Sequence, residues 1–308
     1  MNDEIWEFTP TETKRIMSVL SFLRDCGCPY IGRPVVRVYE EESQKNIDTR
    51  CTTESPRRII LSYPSPVRKL TLHQYLQLEE SRRYEVKVGL AYQLVQAVAY
   101  LHKCGVSHQF LSSDAVAVEL GPEPIIKITN FYSCTTSFSN YSGSYICVRK
   151  YRPPEVVLQL SGIKPNAVDC WALGCLLFEV YTGTAAFSLE RGEGTFRPQL
   201  IKQQLEEAVK GIGRLDKDDI PPGCPERVSQ YLLSLDCESS IFSRLQLAGP
   251  EEEAKLWISL VMPFLKFNYL LRAEADELLQ HKVFAGLPPP VNWHIPTEVA
   301  SELEDLLD

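Results

Sequence analysis

Ser107, His108 and Asp114 place a hydroxyl, an imidazole and a carboxylate within one short stretch, "VSHQFLSSDAV". A hydroxyl whose proton is taken by a histidine, itself oriented by a carboxylate, is the equipment of acyl transfer. Such trios are assembled by folding from separate segments, so adjacency along the chain does not build one. Cys26 and Cys28 form a C-x-C pair with Cys51 following, but no fourth ligand stands at zinc-site spacing. Cys104, Cys170 and Cys175 fall inside apolar helical patterns and read as reduced thiols serving as small hydrophobes. Ser133, Thr135, Ser139, Tyr141, Ser142 and Tyr145 make 132–147 a hydroxyl-rich loop. Arg149 and Arg152 follow it, and an arginine fork suits a phosphate. The plainer reading, that these hydroxyls are solvated loop residues, fits the polar character of loops in general.

Positioning these groups falls to elements that the pattern marks out. Residues 9–25 have a Thr9/Pro10 start and an apolar face of Ile16, Val19, Leu20 and Leu23, which predicts a helix. "RPVVRVYEEE" and "RRIILSYP" predict strands on either side of a polar loop, 43–56. "LTLHQYLQLEE" predicts a short helix, and Val86, Leu90, Leu94, Val98 and Leu101 a long one over 83–103. "AVAVEL" and "PIIKITNF" pair as a hairpin around "GPEP". A buried helix is expected over 168–182 and an amphipathic one over 198–212. Residues 214–250 are proline-punctuated with one short helix near 225–235, and "EEEAKLWISLVMPFLKF" and "RAEADELLQHKVF" predict two closing helices. The tail ends in "TEVASELEDLLD", five acidic residues with Val299, Leu303 and Leu306 on one helical face. It reads equally as a partner-binding helix and as a segment docked on its own body.

The 308 residues are 44% hydrophobic and 23% charged, which suits a folded chain with a sizeable core. The net charge of −8 argues against a general attraction to nucleic acid or anionic lipid. No run approaches the ~20 apolar residues that span a bilayer, and "MNDEIWEFTP" is too acidic for a secretory leader. The expected location is cytoplasmic, with the nucleus as the alternative.

Taken together and in this order, the elements resemble the protein kinase superfamily over residues ~9–284. "YLHKCGVSHQFLSSDAV" is similar to its catalytic loop, H-R-D-L-x-x-x-N, and "IKITNFY" sits where D-F-G belongs. "YICVRKYRPPEV" is close to the Y-x-x-T-R-x-Y-R-A-P-E-V of the group that includes mitogen-activated and cyclin-dependent kinases. "VDCWALGCLLFEVYTG" matches the family's buried helix, and "RAEADELLQHKVF" its closing R-x-x-A-x-E-L-L-x-H-x-F. A weaker, short similarity, "FTP" (8–10), points to the pseudokinase domain of TBC-domain-containing kinase-like proteins, which suggests trafficking or scaffolding roles.

The resemblance implies an α+β, bilobal fold: a reduced N-lobe over 1–66, a mainly helical C-lobe over 67–284 with an insertion around 214–250, and a tail over 285–308. It also implies where chemistry would sit. Aligned on His108, the catalytic aspartate falls on Phe110, the loop lysine on Ser112 and the metal-binding asparagine on Ala115. The D-F-G aspartate falls on Asn130, its glycine on Tyr132, and the threonine that holds the catalytic pair on Val148. Kinase chemistry rests on positioning and charge neutralisation by such groups. With 9–25 matched to the family's first helix, no sequence is left for the strands carrying the glycine-rich loop and phosphate lysine. The glycine pairs at 192–194 and 211–213 come too late to replace that loop. "VVRV" (35–38) reads as a later strand.

His108, Phe131, Glu155, Asp169 and Arg272 match positions that are structural in the family: a histidine under the D-F-G phenylalanine, a carboxylate under the loop and a buried ion pair. The expectation is therefore a catalytically inactive pseudokinase, not an enzyme, with no cofactor or metal and with nucleotide binding unlikely. It would serve as a scaffold or allosteric subunit for a protein partner. The alternative is a divergent ATP-binding Ser/Thr protein kinase of weak or unorthodox activity, in which "IILSYP" could still offer backbone hydrogen bonds to a nucleotide. Strands lying upstream of the given start form a third expectation.

Overall fold

The alternating run at 35–40 and the β-branched run at 57–62 form strands, and they meet a third that the pattern analysis passed over. A computed structural model describes residues 4–8, 19, 23, 26–40, 57–63, 65, 67–136, 146–189 and 198–295. Strand β1 (Glu4–Phe8), β2 (Val35–Glu40) and β3 (Arg57–Ser62) make an antiparallel sheet of order β1-β3-β2. Glu4 pairs with Leu61 on one side of β3, and Val36 pairs with the same Leu61 on the other. The expectation of no strand ahead of the first helix is thus corrected: "EIWEF" is rich in strand-forming apolar residues, and β3 supplies its hydrogen-bonding edge. The helix expected at 9–25 lies outside the described residues except Val19 and Leu23, which are helical and buried.

A second sheet of order β4-β6-β7 joins Lys69–Thr71, Val116–Glu119 and Ile125–Ile128, the last two as the expected hairpin. Ile31 bridges Ile128 in parallel, with the Gly32 N–H donating to the Ile128 carbonyl at 2.7 Å. The close approach requires glycine, because a Cβ on Gly32 would stand 2.7 Å from that same carbonyl oxygen. Two short strands, β5 (Val106–Ser107) and β8 (Thr135–Thr136), pair beneath the loop between them.

The helical body begins with α1 (Leu72–Tyr75), where Thr71 and Gln74 form a capping box, and continues with α2 (Tyr84–Lys103). A short α3 (Pro154–Val157) precedes α4 (Pro165–Thr182), which has proline in its first turn and the left-handed Gly183 as its cap. Helix α4 is buried nearly all round. Trp171 stacks on Phe187 at 5.4 Å and Tyr181 on Trp257 at 4.7 Å, so aromatic pairs fix it against its neighbours. Helices α5 (Pro198–Ile212), α6 (Glu226–Leu233), α7 (Ser240–Leu247) and α8 (Glu251–Val261) complete the set described. Two helices rather than one therefore lie in 214–250. Ser239 accepts the Phe242 N–H and starts the second of them.

The two closing helices are shorter than the pattern predicts. Helix α8 ends at Val261: Met262 is still helical, but Pro263 has no N–H to continue the ladder, and the chain tightens into turns in which Phe264 donates to the Val261 carbonyl and Leu265 to that of Met262. "RAEADELLQHKVF" forms only 3₁₀ turns at Asp276–Leu278 and Lys282–Phe284. Arg272 is held extended, φ −80° and ψ 133°, by its side-chain bonds, and that prevents a helical start there. Beyond it the chain returns along α2. The Tyr92 hydroxyl donates to the Pro288 carbonyl at 2.6 Å and that of Tyr100 to His294 at 2.9 Å. Trp293 sets its ring against the edges of Tyr30 and Tyr100. The acidic segment 297–308 lies outside the described residues. No helix among those described is long and apolar enough to cross a membrane.

Candidate functional site

Strand β5 delivers the chain into the 108–115 loop, and α4 supplies the group that shapes it. Asp169, one turn into α4 and 1% exposed, accepts the His108 N–H at 2.6 Å and the Gln109 N–H at 2.7 Å, one on each carboxylate oxygen. Gln109 is left-handed, φ 60°, a conformation that costs a non-glycine residue about 1 kcal/mol or more. Its carbonyl also accepts from the Cys147 thiol at 3.0 Å, so the strained turn is held from both sides.

Two histidines differ in charge because of what surrounds them. His108 is fully buried; its Nε2 donates to the Thr129 carbonyl at 2.7 Å, while Nδ1 accepts the Phe110 N–H at 3.2 Å. That pattern requires the neutral Nε2–H tautomer, and burial holds the pKa below the ordinary value. Its ring meets Phe131 edge-on at 4.9 Å. His102, from the end of α2, reaches Asp169 at 3.2 Å. Burial opposes its charge, but the bonds to Asp169 and Cys170 prevail and push it up to about 10.

The positions expected to carry chemistry converge on this loop. Phe110 packs against Tyr132 at 4.9 Å and offers no proton acceptor. Ser112 is buried, and its hydroxyl accepts the Ala115 N–H at 3.2 Å. Ala115 is fully buried, with its carbonyl accepting from both the N–H and the hydroxyl of Thr129. Asn130 is left-handed, φ 67° and ψ 48°, which asparagine tolerates better than most residues. Its N–H donates to the Tyr63 hydroxyl at 3.0 Å. Val148, half-buried, precedes the 3₁₀ turn Arg149–Tyr151 and accepts the Tyr151 N–H at 2.8 Å. Asp114 is the exposed carboxylate of the same loop, and with Ser107 tied to Asn166 the three letters of the acyl-transfer trio do not converge.

Glu155 and Arg272, 117 residues apart, form a bidentate pair at 2.7 and 3.0 Å with both side chains buried. The guanidinium also donates to the Ala167 and Lys266 carbonyls and lies over Trp171, so a charge taken from water is fully engaged. Glu179 is a third buried carboxylate, to which sequence reasoning assigned no role. The Tyr151 hydroxyl donates to it at 2.5 Å and is itself linked to Ser113 at 2.9 Å, and His73 lies 3.5 Å away. A carboxylate in an otherwise apolar helix was the available signal. Arg152 donates to the Ile146 and Cys147 carbonyls, and Arg149 to the Leu200 carbonyl and the Gln203 side chain. Of the loop hydroxyls, Thr135 is buried and Ser133 half-buried; 139–145 lie outside the described residues.

On the strand side, β3 is paired along both edges, and the Tyr63 carbonyl that follows it accepts from the Lys69 ammonium. Cys26 and Cys28 are buried, and desolvation raises both thiols, that of Cys28 to about 12, so both are protonated. Among the described residues no group of three or more His, Cys, Asp or Glu is arranged to hold a metal ion.

The protein kinase domain family matches residues 12–284. The chain is 27% identical over 234 residues to the human dual specificity protein kinase CLK2, covering 66% of this chain and 44% of that one. To the rat mitogen-activated protein kinase 12 it is 30% identical over 185 residues, covering 54% and 49%. The yeast protein kinase MCK1 is 29% identical over 230 residues, covering 70% and 57%. The chain thus spans about half the length of these relatives. A chain in the crystal structure of the yeast RNA polymerase II CTD kinase CTDK-1 complex shares the fold, with a TM-score of 0.65 at 19% identity, covering 93% of this chain and 86% of that one. These findings correct the expectation that the chain is not an enzyme, which rested on the lack of a glycine-rich loop, phosphate lysine, catalytic aspartate and metal-binding residues. The relatives that it matches are named as protein kinases. Nor does a kinase-domain match favour the expectation that nucleotide binding is unlikely.

Proposed function

The chain belongs to the protein kinase family, and from that membership we propose that it is a divergent ATP-binding Ser/Thr protein kinase domain whose phosphotransfer is weak and uses residues other than the family's usual ones. The observation that carries this reading is the intact seat of the loop. Asp169 clasps the His108 and Gln109 amides, and Asn130 stands left-handed beside Phe131, within a fold matched from 12 to 284. With Phe110 unable to accept a proton, the carboxylate that this loop retains is Asp114, and the oxygen donor at the metal position is the Asn130 amide. An amide oxygen holds Mg²⁺ more weakly than a carboxylate, which accounts for low rather than ordinary activity.

Calorimetric titration with ATP and Mg²⁺, followed by phosphate incorporation into the chain itself or a generic basic protein, tests the proposal. Metal-dependent binding that Asn130→Ala weakens and turnover that Asp114→Asn removes are expected. No binding and no incorporation at millimolar nucleotide would end it.

A second, compatible reading is a protein-interaction role as scaffold or allosteric subunit. It is favoured by Phe242 and Leu247, 42% and 86% exposed in the 214–250 region, where large apolar side chains face water. An intracellular location fits the nine described cysteines, all of them free.

A further inference from the structure

A cavity of about 370 Å³ opens where the 28–33 segment, Tyr63, β4 and the β6–β7 hairpin meet. Its lining holds three cations, Arg33, Lys69 and Lys127, against one carboxylate, Glu119. That is an excess of positive charge in a chain whose net charge is −8. Glu119 is engaged by the Ser65 hydroxyl at 2.7 Å. Each lysine donates to a single carbonyl, Lys69 to Tyr63 and Lys127 to Pro29, and Arg33 donates to the Cys26 carbonyl at 3.0 Å. An ammonium has three donors and a guanidinium five, so each cation keeps donors for something else. Burial pushes the Lys69 pKa down; the Glu119 charge opposes that fall and the neighbouring Lys127 charge adds to it. An anion between the two lysines relieves that repulsion.

From this geometry we propose that the cavity is a binding site for a small phosphate-bearing dianion, held by Lys69 and Lys127 and closed at its mouth by Arg33. The class follows from charge and size: two cations remain after Glu119 is set against the third, and the volume lies near the lower end of small-molecule sites, about 300–1,000 Å³. Lysine serves phosphate as a point charge, and the arginine fork matches it geometrically. The site also reaches the loop already described. Tyr63 and Thr129 line the cavity, and the Tyr63 hydroxyl holds the Asn130 N–H. An occupant braces the turn at 129–131 through these two residues. The proposal does not depend on phosphotransfer.

Inorganic pyrophosphate, titrated calorimetrically into the full chain at low ionic strength, is the probe. Saturable binding is expected, weakened about tenfold or more by Lys69→Gln and by Lys127→Gln. It should weaken with added salt, and the amides of 130–131 should exchange more slowly in its presence. Arg33→Gln, at an exposed position, supplies a variant that leaves folding intact and should weaken binding too. Absence of saturable heat, or equal binding by all three variants, would overturn the site. Tighter binding of a phosphoserine peptide than of pyrophosphate would overturn the small-anion assignment.

Discussion

Replacing Asp169 by asparagine keeps the size of the side chain and removes half of what it does. In the native loop each carboxylate oxygen accepts one backbone N–H, from His108 at 2.6 Å and Gln109 at 2.7 Å, and one also receives His102. Asparagine offers one acceptor; its NH₂ must face the other N–H. The change forfeits one charge-assisted bond, about 1.5–3 kcal/mol, and leaves a buried N–H without an acceptor, about 1–3 kcal/mol. The strained Gln109 turn loses one of its two restraints as well. A total of about 2.5–6 kcal/mol follows, which brackets the range of about 3–5 kcal/mol seen when one member of a buried charged pair is removed.

Urea unfolding followed by tryptophan fluorescence reads this directly, since Trp171 lies two residues further along the same helix. Hydrogen exchange gives the local answer. The His108 and Gln109 amides should open more readily by about two to four powers of ten, at 1.4 kcal/mol per tenfold. Loss of less than about 1 kcal/mol with both amides still protected would refute the assignment of Asp169 as the residue that seats the loop.

Three further perturbations test neighbouring parts of the argument. His102 has a folded pKa near 10 against an ordinary 6.5, so its stabilising charge is fully present below pH 6.5 and lost as pH rises to about 10. Stability should fall across that window, and His102→Gln should flatten the fall in urea midpoints measured at several pH values. Gly174→Ala would place a Cβ 2.8 Å from that of Phe264 and 2.9 Å from Leu265, and should cost about 1–3 kcal/mol in thermal unfolding. Trp293→Ala removes edge contacts with Tyr30 and Tyr100; a loss of about 1–3 kcal/mol is expected, with faster proteolysis of the 285–295 segment.

Helix α4 was legible over 168–182 because its signal is local, apolar residues all round; its first turn, from Pro165, was not read. The hairpin and α5 were legible for the same reason, a period of two in one and of 3.6 in the other. The 272–284 stretch has helical spacing too, yet Arg272 is bound to Glu155 from 117 residues away, and that distant tie sets its backbone. The Tyr63 hydroxyl that takes the Asn130 N–H spans 67 residues and leaves no periodic trace. Interactions closed by chain reversal carry no pattern in the sequence unless a family resemblance supplies one, as it did for Glu155 and Arg272.

The same division explains the overturned expectation about catalysis. Reading Phe110, Ser112 and Ala115 one by one states correctly what those side chains cannot accept or donate. It does not state which other groups the fold brings to the same space. Asp169 shows how far that reaches, since a carboxylate 61 residues from His108 determines the shape of the loop. A mechanism belongs to the assembled site, so the decisive evidence lies in what the loop region binds and transfers, not in the letters at three of its positions.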